Sequence, residues 1–475
     1  MSEVPSAAER LADFAGTLTY DDVPAEVVKA AKLHFLDAFG CGLAAHALGV
    51  ADHAGRAMAE LGGKDEASVI GYPARLPAAG AAFVNGSLGH ALDFDDTHPD
   101  AICHVSVVVS PAALAAGEAF DVDGRELVVA LVAGNEVVAR IGAAAAPAYM
   151  KTGFHPTSVC GVFGAAAVGA RLAQLDAEAA TAALGIAGSM ASGLFEYLAD
   201  GSMPKPLHAG WAAHAGLFAA RLAAHGATGP ASVLEGRFGV LRSYFRLDGS
   251  AVEVPLDDLG RVWATPRIAF KPYPACHFVH ACLDAASEAM GGRRLELEEI
   301  ESVLVSIPEA GVPLVLEPRE EKISPRTAYD AKFSLQYSIA AMIANGRVGL
   351  DTYEAEAISD PRVLELAARV DYEAREFPSF GAAFPGSVRI RTSAGETLAA
   401  EVPYQRGGEQ NPMTASEVRR KFEENAALAL PDDAVRALAD AILRLEEHTS
   451  LRDAFAVLGE AALSPSLRPV RAWSS

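Results

Sequence analysis

The densest group of residues suited to acid–base chemistry lies between Asp93 and His104. Four carboxylates and two histidines fall within these twelve residues, in a region otherwise rich in alanine and other apolar residues. Unpaired buried charges are costly, so such groups share protons or shift their pKa values. The density favours a functional site, although Asp95, Asp96 and Thr97 could instead cap the neighbouring helices.

Two further clusters follow in the first half of the chain. His155 stands directly before Pro156, where it could bind an anion with nearby backbone N–H groups or simply be a helix-entry residue. Lys205 lies between two prolines in a segment interpreted as a loop. A fixed cation there suits a substrate carboxylate, and the alternative is a solvated loop lysine. We expect His208 and His214, on the helix that follows, to pack or cap.

A fourth cluster runs from Lys271 to His280. His277 and His280 are three residues apart, so a helix that begins near Ala275 places both on one face. The cluster lies where the sequence pattern changes, and clefts form at domain junctions. One of the two histidines could act as a general acid or base near neutral pH. No further ligand has the spacing of a zinc site, and no metal is predicted.

Helices must position most of these residues. Apolar residues at three-and-four spacing recur to about residue 225 and predict a helical body. Prolines interrupt the pattern near residue 265, and alternating residues then predict a strand at 303–307 and a hairpin formed by 388–392 and 397–402. A capping box at Thr414 and Glu417 predicts a return to helix.

These patterns predict a mainly α fold with an inserted α+β unit. The expected helical domain combines residues 1–264 and 406–467, the α+β domain covers 265–405, and residues 468–475 form a loose tail. The helical segments at both ends would then pack together, which makes the middle unit an insertion.

Composition and charge exclude several classes of protein. The 475 residues contain 39 Lys+Arg and 61 Asp+Glu, a net charge of −22, which argues against binding to nucleic acid or to an anionic membrane. Small molecules or other protein chains are the expected partners. The five cysteines form no Cys-x-x-Cys pair, so we predict no disulfide framework or iron–sulfur cluster. The N-terminus lacks a secretory signal and the apolar runs suit core helices, so we expect a cytoplasmic protein.

Several motifs together resemble the MmgE/PrpD family, which includes 2-methylcitrate dehydratase, cis-aconitate decarboxylase and iminodisuccinate epimerase. They occur in the family's order over nearly the whole chain. The matching segments are Gly89 to Thr97, Gly153 to Thr157, Gly201 to His208, Lys271 to His277 with His280, and Ala331 to Tyr337. The resemblance implies a helical domain made from both chain ends, a smaller α+β lid, a homodimer and chemistry without a cofactor.

The resemblance also implies the active-site positions. They correspond to Asp93, Thr97, His104, Lys205 and one histidine of the 277/280 pair, where His280 is preferred because it holds the motif's final position and His277 is the reserve. His155 and Lys271 complete the predicted substrate-binding set. The segment 98–104 matches neither the dehydratase nor the decarboxylase closely, which leaves the substrate open.

The residue types agree with proton transfer next to a carboxylate. Removing such a proton builds negative charge, so the site needs fixed cations and a separate acid. Lys205, Lys271 and His104 could hold carboxylates, whereas His280 or Asp93 could move the proton. We therefore predict a lyase acting on a small di- or tricarboxylic acid. Among lyases, dehydration of a methylcitrate-like acid is favoured over decarboxylation. An isomerase or epimerase is the second choice after a lyase.

Three other functions are alternatives to a lyase of this family. An iron–sulfur hydratase is disfavoured by the cysteine spacing. A prenyl or terpene synthase is suggested by Asp95, Asp96 and Asp100, but a second metal motif is not apparent and aromatic residues are few. A non-catalytic dimer that binds a small acid is the third, and it would show ligand-induced thermal stabilisation without turnover.

Overall fold

The computed structural model describes residues 4–145, 148–249 and 252–462. Helices dominate these residues and the sheets are small, which confirms the mainly α fold. The predicted tail at 468–475 and the end of the 406–467 segment lie outside the described residues.

The first half of the chain is helical apart from a short antiparallel pair of strands, β1 (Ala67–Val69) and β2 (Tyr72–Leu76). Its helices are α1 (Ala7–Thr17), α2 (Ala25–Ala47), α3 (Asp52–Leu61), α4 (Ala78–His90), α5 (Ser106–Phe120), α6 (Gly124–Ala145), α7 (Tyr149–Thr152), α8 (Pro156–Leu172), α9 (Ala177–Met190), α10 (Pro204–Ala224) and α11 (Val240–Ser243). Proline in the first turn of α8 and α10 has the fixed φ of a helix start.

Helices and one mixed sheet alternate in the second half. The helices are α12 (His277–Met290), α13 (Val312–Val315), α14 (Arg319–Ile323), α15 (Ala328–Ala331), α16 (Leu335–Asn345), α17 (Pro361–Ala368), α18 (Ala415–Ala426), α19 (Asp432–Leu443) and α20 (Arg452–Phe455). The strands are β3 (Ile300–Ile307), β4 (Val370–Ala374), β5 (Gly386–Thr392) and β6 (Thr397–Val402).

The mixed sheet has the order β4-β3-β5-β6. β3 pairs with β4 in parallel and with β5 antiparallel, and β5 pairs with β6 antiparallel. Strand β3 includes the residues expected at 303–307, and β5 and β6 form the predicted hairpin. Alternate residues of β5 are buried, so one face of this hairpin packs on the core.

Two large hydrophobic clusters organise the described residues. The first combines α1 to α10 with side chains from α18, α19 and α20. The second lies within residues 275–402 and includes α12, α16 and the mixed sheet. Helix α6 is long and apolar enough to span a membrane, but it is largely buried among other helices, so packing explains its apolar surface.

Close packing between α8 and α10 brings two of the site clusters together. A Cβ atom added at Gly216 would lie 2.5 Å from the Val162 carbonyl oxygen and 2.5 Å from the Ala165 Cβ. Only glycine allows this approach. His155 at the start of α8 contacts His208 near the start of α10, so both helices begin at the same end of the bundle.

Candidate active site

The segment between α4 and α5 is a buried loop that carries the densest cluster. Thr97 pairs with Ala269 through two backbone hydrogen bonds of 2.9 Å, and His98 donates its backbone N–H to the Cys103 carbonyl. The first pairing places the 93–104 segment beside the 270–280 segment. Clusters far apart in the sequence therefore meet at one place.

Asp93 forms the charged centre of this site. Its carboxylate Oδ1 lies 2.5 Å from the Lys205 Nζ and 3.2 Å from the Lys271 Nζ. Burial would raise the pKa of the Asp93 carboxyl, but the two ammonium groups outweigh burial and hold it well below its usual range. Asp93 also has a φ of +52°, in the left-handed region. A carboxylate held ionised in this way can fix two cations, and the proton-moving role suggested from sequence stays a prediction.

Asp95 joins two histidines behind the cavity. Its Oδ2 lies 2.9 Å from the His90 Nδ1 and 2.9 Å from the His104 Nδ1. Burial opposes ionisation of Asp95, yet both imidazoles keep the pKa of its carboxyl well below the usual range. An imidazole that gains a proton beside this carboxylate is stabilised as a cation.

Asp96 has a structural role that the capping alternative anticipates. It accepts hydrogen bonds from the Ser106 backbone N–H and hydroxyl at the start of α5, and its other contact is the His34 Nδ1 at 2.7 Å. Asp96 is 1% exposed and does not line the cavity. The dense cluster therefore contains both a helix cap and residues that line the cavity.

Lys205 lies on α10 and not in a loop. It is the second residue of that helix, is buried, and its Nζ lies 4.9 Å from the centroid of the Phe333 ring. Lys271 is fully buried and also donates a hydrogen bond of 3.0 Å to the Asp93 backbone carbonyl. Lys271 thus makes two contacts with Asp93, whereas Lys205 makes one. Lys205 therefore has more N–H donors left for a substrate.

The structure separates the two histidines of α12. His277 lines the cavity and stacks on Phe384 with ring centroids 4.9 Å apart, and its ring nitrogens have no hydrogen-bond partner among the described residues. His280 lies behind the cavity, where its Nε2 donates to the Ala275 carbonyl at 3.0 Å. The geometry therefore favours the reserve, His277, over the preferred His280.

His155 and Thr97 both line the cavity. The His155 Nδ1 lies 3.1 Å from the His208 Nδ1, and the ring is parallel to His90 at a centroid distance of 5.7 Å. The Thr97 hydroxyl contacts the His104 Nδ1 at 3.4 Å. Both residues are close enough to the charged centre to contact a ligand there.

A cavity of about 60 Å³ lies between the two hydrophobic clusters. Seven of the eight predicted site residues line the cavity, namely Asp93, Thr97, His104, His155, Lys205, Lys271 and His277, whereas His280 does not. The rest of the wall is largely apolar and aromatic, with Ile102, Phe195, Tyr197, Phe278, Leu314, Phe333 and Phe384. Few polar groups in an apolar cleft are typical of small-molecule sites.

Burial keeps the histidines of the site neutral near pH 7. It lowers the pKa of His90 to about 4, and it also lowers the pKa values of His104, His155 and His277. The site thus offers fixed cations on two lysines and neutral imidazoles that can gain a proton when an anion binds.

Sequence reasoning missed one residue at the edge of this site. Lys332 is buried, donates to the Pro274 carbonyl at 3.0 Å, and accepts from the Cys276 backbone N–H at 3.0 Å through its own carbonyl. It therefore fixes the turn that leads to His277. Burial lowers the pKa of Lys332 to about 7. Its position in the Ala331 to Tyr337 motif was the available signal.

Curated proteins similar to this chain are named as decarboxylases. A cis-aconitate decarboxylase from Homo sapiens is 31% identical over 438 residues, which cover 89% of this chain and 88% of that protein. The cis-aconitate decarboxylase-like protein oryM from Aspergillus oryzae is 28% identical and covers 94% and 96% of the two chains. A cis-aconitate decarboxylase from Aspergillus terreus is 27% identical, with coverages of 95% and 96%.

Two family models match almost end to end. The MmgE/PrpD N-terminal domain matches residues 9–252, and the MmgE/PrpD C-terminal domain matches residues 273–447. The first contains Asp93, His104 and Lys205, whereas the second contains His277. Matches of this extent, with relatives similar over most of their length, show that this chain belongs to the MmgE/PrpD family.

Proposed function

We propose that this protein is a cofactor-independent lyase that decarboxylates a small unsaturated tricarboxylate of the cis-aconitate type. The observation that carries the proposal is the buried Lys205–Asp93–Lys271 centre in an apolar cavity. The names of the similar proteins move decarboxylation above the dehydration that the sequence alone favours. The coarser assignment, a lyase, rests on the family and these relatives together.

Charge at the cavity supports a polyanionic substrate. The whole chain carries −22 and repels anions at long range. Asp93, Lys205 and Lys271 together contribute +1 to the lining, and buried charges at close range outweigh distant ones. Lys205, which has free N–H donors, is assigned to a substrate carboxylate, and Lys271 to holding Asp93.

The reaction requires the departure of one carboxylate and the arrival of one proton. In a substrate whose CH2–carboxylate is next to a carbon–carbon double bond, the C–C bond to that carboxylate breaks and CO2 leaves. The electron pair forms a new double bond to the CH2 carbon, and the former double bond shifts its electrons to its far carbon. A proton then adds to that far carbon. The number of carboxylates falls by one, with no oxidant or reductant involved.

We assign the proton donor to His104. Its Nδ1 contacts Asp95 at 2.9 Å, which leaves the Nε2 for the cavity and stabilises the imidazolium. Burial lowers the pKa of His104 in the free protein, and the negative charges of a bound tricarboxylate would raise it again. Substrate binding would thus favour protonation of His104, which then donates this proton to the product.

The apolar wall and His277 complete the assignment. Phe195, Phe278 and Phe384 provide a surface of low polarity, where a departing carboxylate is poorly solvated and neutral CO2 is favoured. His277 is neutral and its nitrogens have no partner within the described chain, so it can donate a hydrogen bond to a substrate carboxylate that remains.

Proton NMR in deuterium oxide tests the function. EDTA-treated protein is incubated with cis-aconitate, 2-methylcitrate, citrate and iminodisuccinate in separate samples. We expect loss of CO2 from cis-aconitate, with one deuterium at the carbon that accepts the proton. Loss of water from 2-methylcitrate would contradict the decarboxylase assignment and identify a dehydratase. Deuterium exchange in iminodisuccinate without net change would identify an epimerase. Ligand-induced stabilisation without any turnover would favour the binding-only alternative.

We also keep the homodimer as a proposal. A groove formed by α3, α4, α5 and α10 exposes the large apolar side chains of Leu61, Phe120 and Phe218. The exposed Trp211 stacks on His214 in the wall of this groove. Exposed apolar patches of this kind often mark protein interfaces. Light scattering during size-exclusion chromatography should give twice the chain mass of 49.4 kDa, and a monomeric mass would contradict the proposal.

A further inference from the structure

Three imidazole rings converge beside the cavity. One ring nitrogen of each of His90, His104 and His155 lies within 4.8 Å of the others. The centroids of the His90 and His104 rings are 4.6 Å apart, and that of His155 lies 5.7 Å from His90 and 6.3 Å from His104. The proposed reaction uses only the His104 imidazole as a proton donor, so the convergence of three rings is not explained by it.

The opposite nitrogen of each ring is already held. His90 and His104 both place their Nδ1 at 2.9 Å from the Asp95 Oδ2, and the His155 Nδ1 contacts the His208 Nδ1. The Nε2 atoms are therefore the ones left for a ligand. The Nε2 of His90 is buried and has no hydrogen-bond partner in the part of the chain that the structure describes. In His90 and His104 a carboxylate fixes the far ring nitrogen, as it does in many metal-binding histidines.

We propose that His90, His104 and His155 form a binding site for one divalent transition-metal ion of the zinc type, and that an ion bound there inhibits the enzyme. Three neutral imidazoles with an open fourth position make up a known zinc ligand set. Inhibition rests on the proposed function, because the metal would occupy the His104 nitrogen that delivers the proton. Binding itself does not depend on that function.

The chemistry of the ligands favours this class of ion. Asp93, Lys205 and Lys271 contribute +1 to the cavity, and Asp95 contributes −1 beside His90 and His104. Histidine binds a metal ion through a neutral imidazole nitrogen. A nitrogen-only set selects zinc, cobalt, nickel or copper over magnesium and calcium, which prefer oxygen.

Cobalt binding provides a test that does not require turnover. EDTA-treated full-length protein is titrated with CoCl2 at pH 7.5, and the visible d–d absorption of bound Co²⁺ is followed, with ZnCl2 as a competitor. We expect one ion per chain. Asp95→Asn keeps all three ligands but should weaken binding about 10- to 100-fold, the usual effect of losing the outer partner of a metal-binding histidine. His53→Ala, at an exposed histidine, should bind as the wild type does.

Two ligand variants keep the test valid if one fails to fold. His90→Phe and His155→Gln should each lose saturable cobalt binding while circular dichroism reports a folded protein. In the wild type, ZnCl2 should suppress decarboxylation and EDTA should restore it. Absence of saturable binding to the wild type, or unchanged binding in both folded variants, would overturn the site. Turnover that rises on addition of ZnCl2 would overturn its inhibitory role.

Discussion

Separate replacement of His277 and His280 by phenylalanine should have different effects. The first should lower activity, and the second should lower stability. The residues are three apart on α12 and both are buried, so the two variants are matched in chemistry and location. His277 faces the cavity without a hydrogen-bond partner among the described residues, whereas His280 donates to the Ala275 carbonyl. One substitution should therefore affect the reaction, and the other the fold.

The expected magnitudes follow from these contacts. His277→Phe keeps the stacking on Phe384 and removes a donor to a charged carboxylate, a bond that contributes about 1.5–3 kcal/mol. At 1.4 kcal/mol per factor of ten, kcat/KM should fall about 10- to 150-fold. Stability should be equal or higher, because two unpaired ring nitrogens leave the interior. His280→Phe leaves the buried Ala275 carbonyl unpaired and should reduce the free energy of unfolding by about 1–3 kcal/mol.

The assay combines steady-state kinetics on the substrate identified by NMR with urea denaturation of the same samples. His280→Gln retains an N–H donor and should recover most of the lost stability, while the folded fraction of His280→Phe should keep kcat/KM within a few-fold of wild type. A larger loss of kcat/KM in folded His280→Phe than in His277→Phe would refute the assignment of His277 to the cavity.

Three further predictions follow from the buried charges. Lys205→Met should lower kcat/KM about 10- to 150-fold, mainly through KM, whereas Lys29→Met at an exposed site should change neither constant; full turnover by Lys205→Met would remove the proposed role. The folded pKa of His90, about 4, lies below the unfolded value near 6.5, so its stabilising contribution is present above pH 6.5 and is lost as the pH falls toward 4. Urea denaturation at pH 8 and pH 5 should then differ by about 2 kcal/mol from this group alone, and equal stabilities would contradict its neutral burial. Because the pKa of Lys332 is lowered to about 7, Lys332→Met should lower kcat/KM and abolish an ionisation near pH 7 in its pH profile; superimposable wild-type and variant profiles would contradict this.

Residue types and spacing are sufficient to predict the hairpin and most of the polar lining of the cavity. Alternate residues of β5 are buried, and β6 alternates exposed with half-buried residues, a pattern visible in the sequence itself. The polar clusters stood out because charged residues are rare in their apolar surroundings. Both signals come from residues close together in the sequence, so they can be recognised without the structure.

The remaining features depend on contacts between distant parts of the chain. The prolines that flank Lys205 suggest a loop, although proline is also common in the first turn of a helix, where Lys205 lies. Asp93 is fixed by lysines 112 and 178 residues away, so no local pattern reveals that it stays ionised. His277 and His280 share a helix face, and only the packing of α12 against its neighbours decides which one reaches the cavity.

One such distant contact has a consequence for how the protein is made. Lys421 on α18 contacts the Asp37 carboxylate at 2.8 Å and donates a 2.7 Å hydrogen bond to the Phe94 carbonyl, next to Asp93. Residue 94 emerges from the ribosome long before residue 421. Helix α2 and the loop between α4 and α5 therefore leave the exit tunnel without this partner. Until α18 is synthesised, Asp37 has no Lys421 to neutralise it in the core. A chain truncated before α18 would therefore contain all the residues that line the cavity. The core surface that α18 normally covers would be exposed to chaperones and proteases.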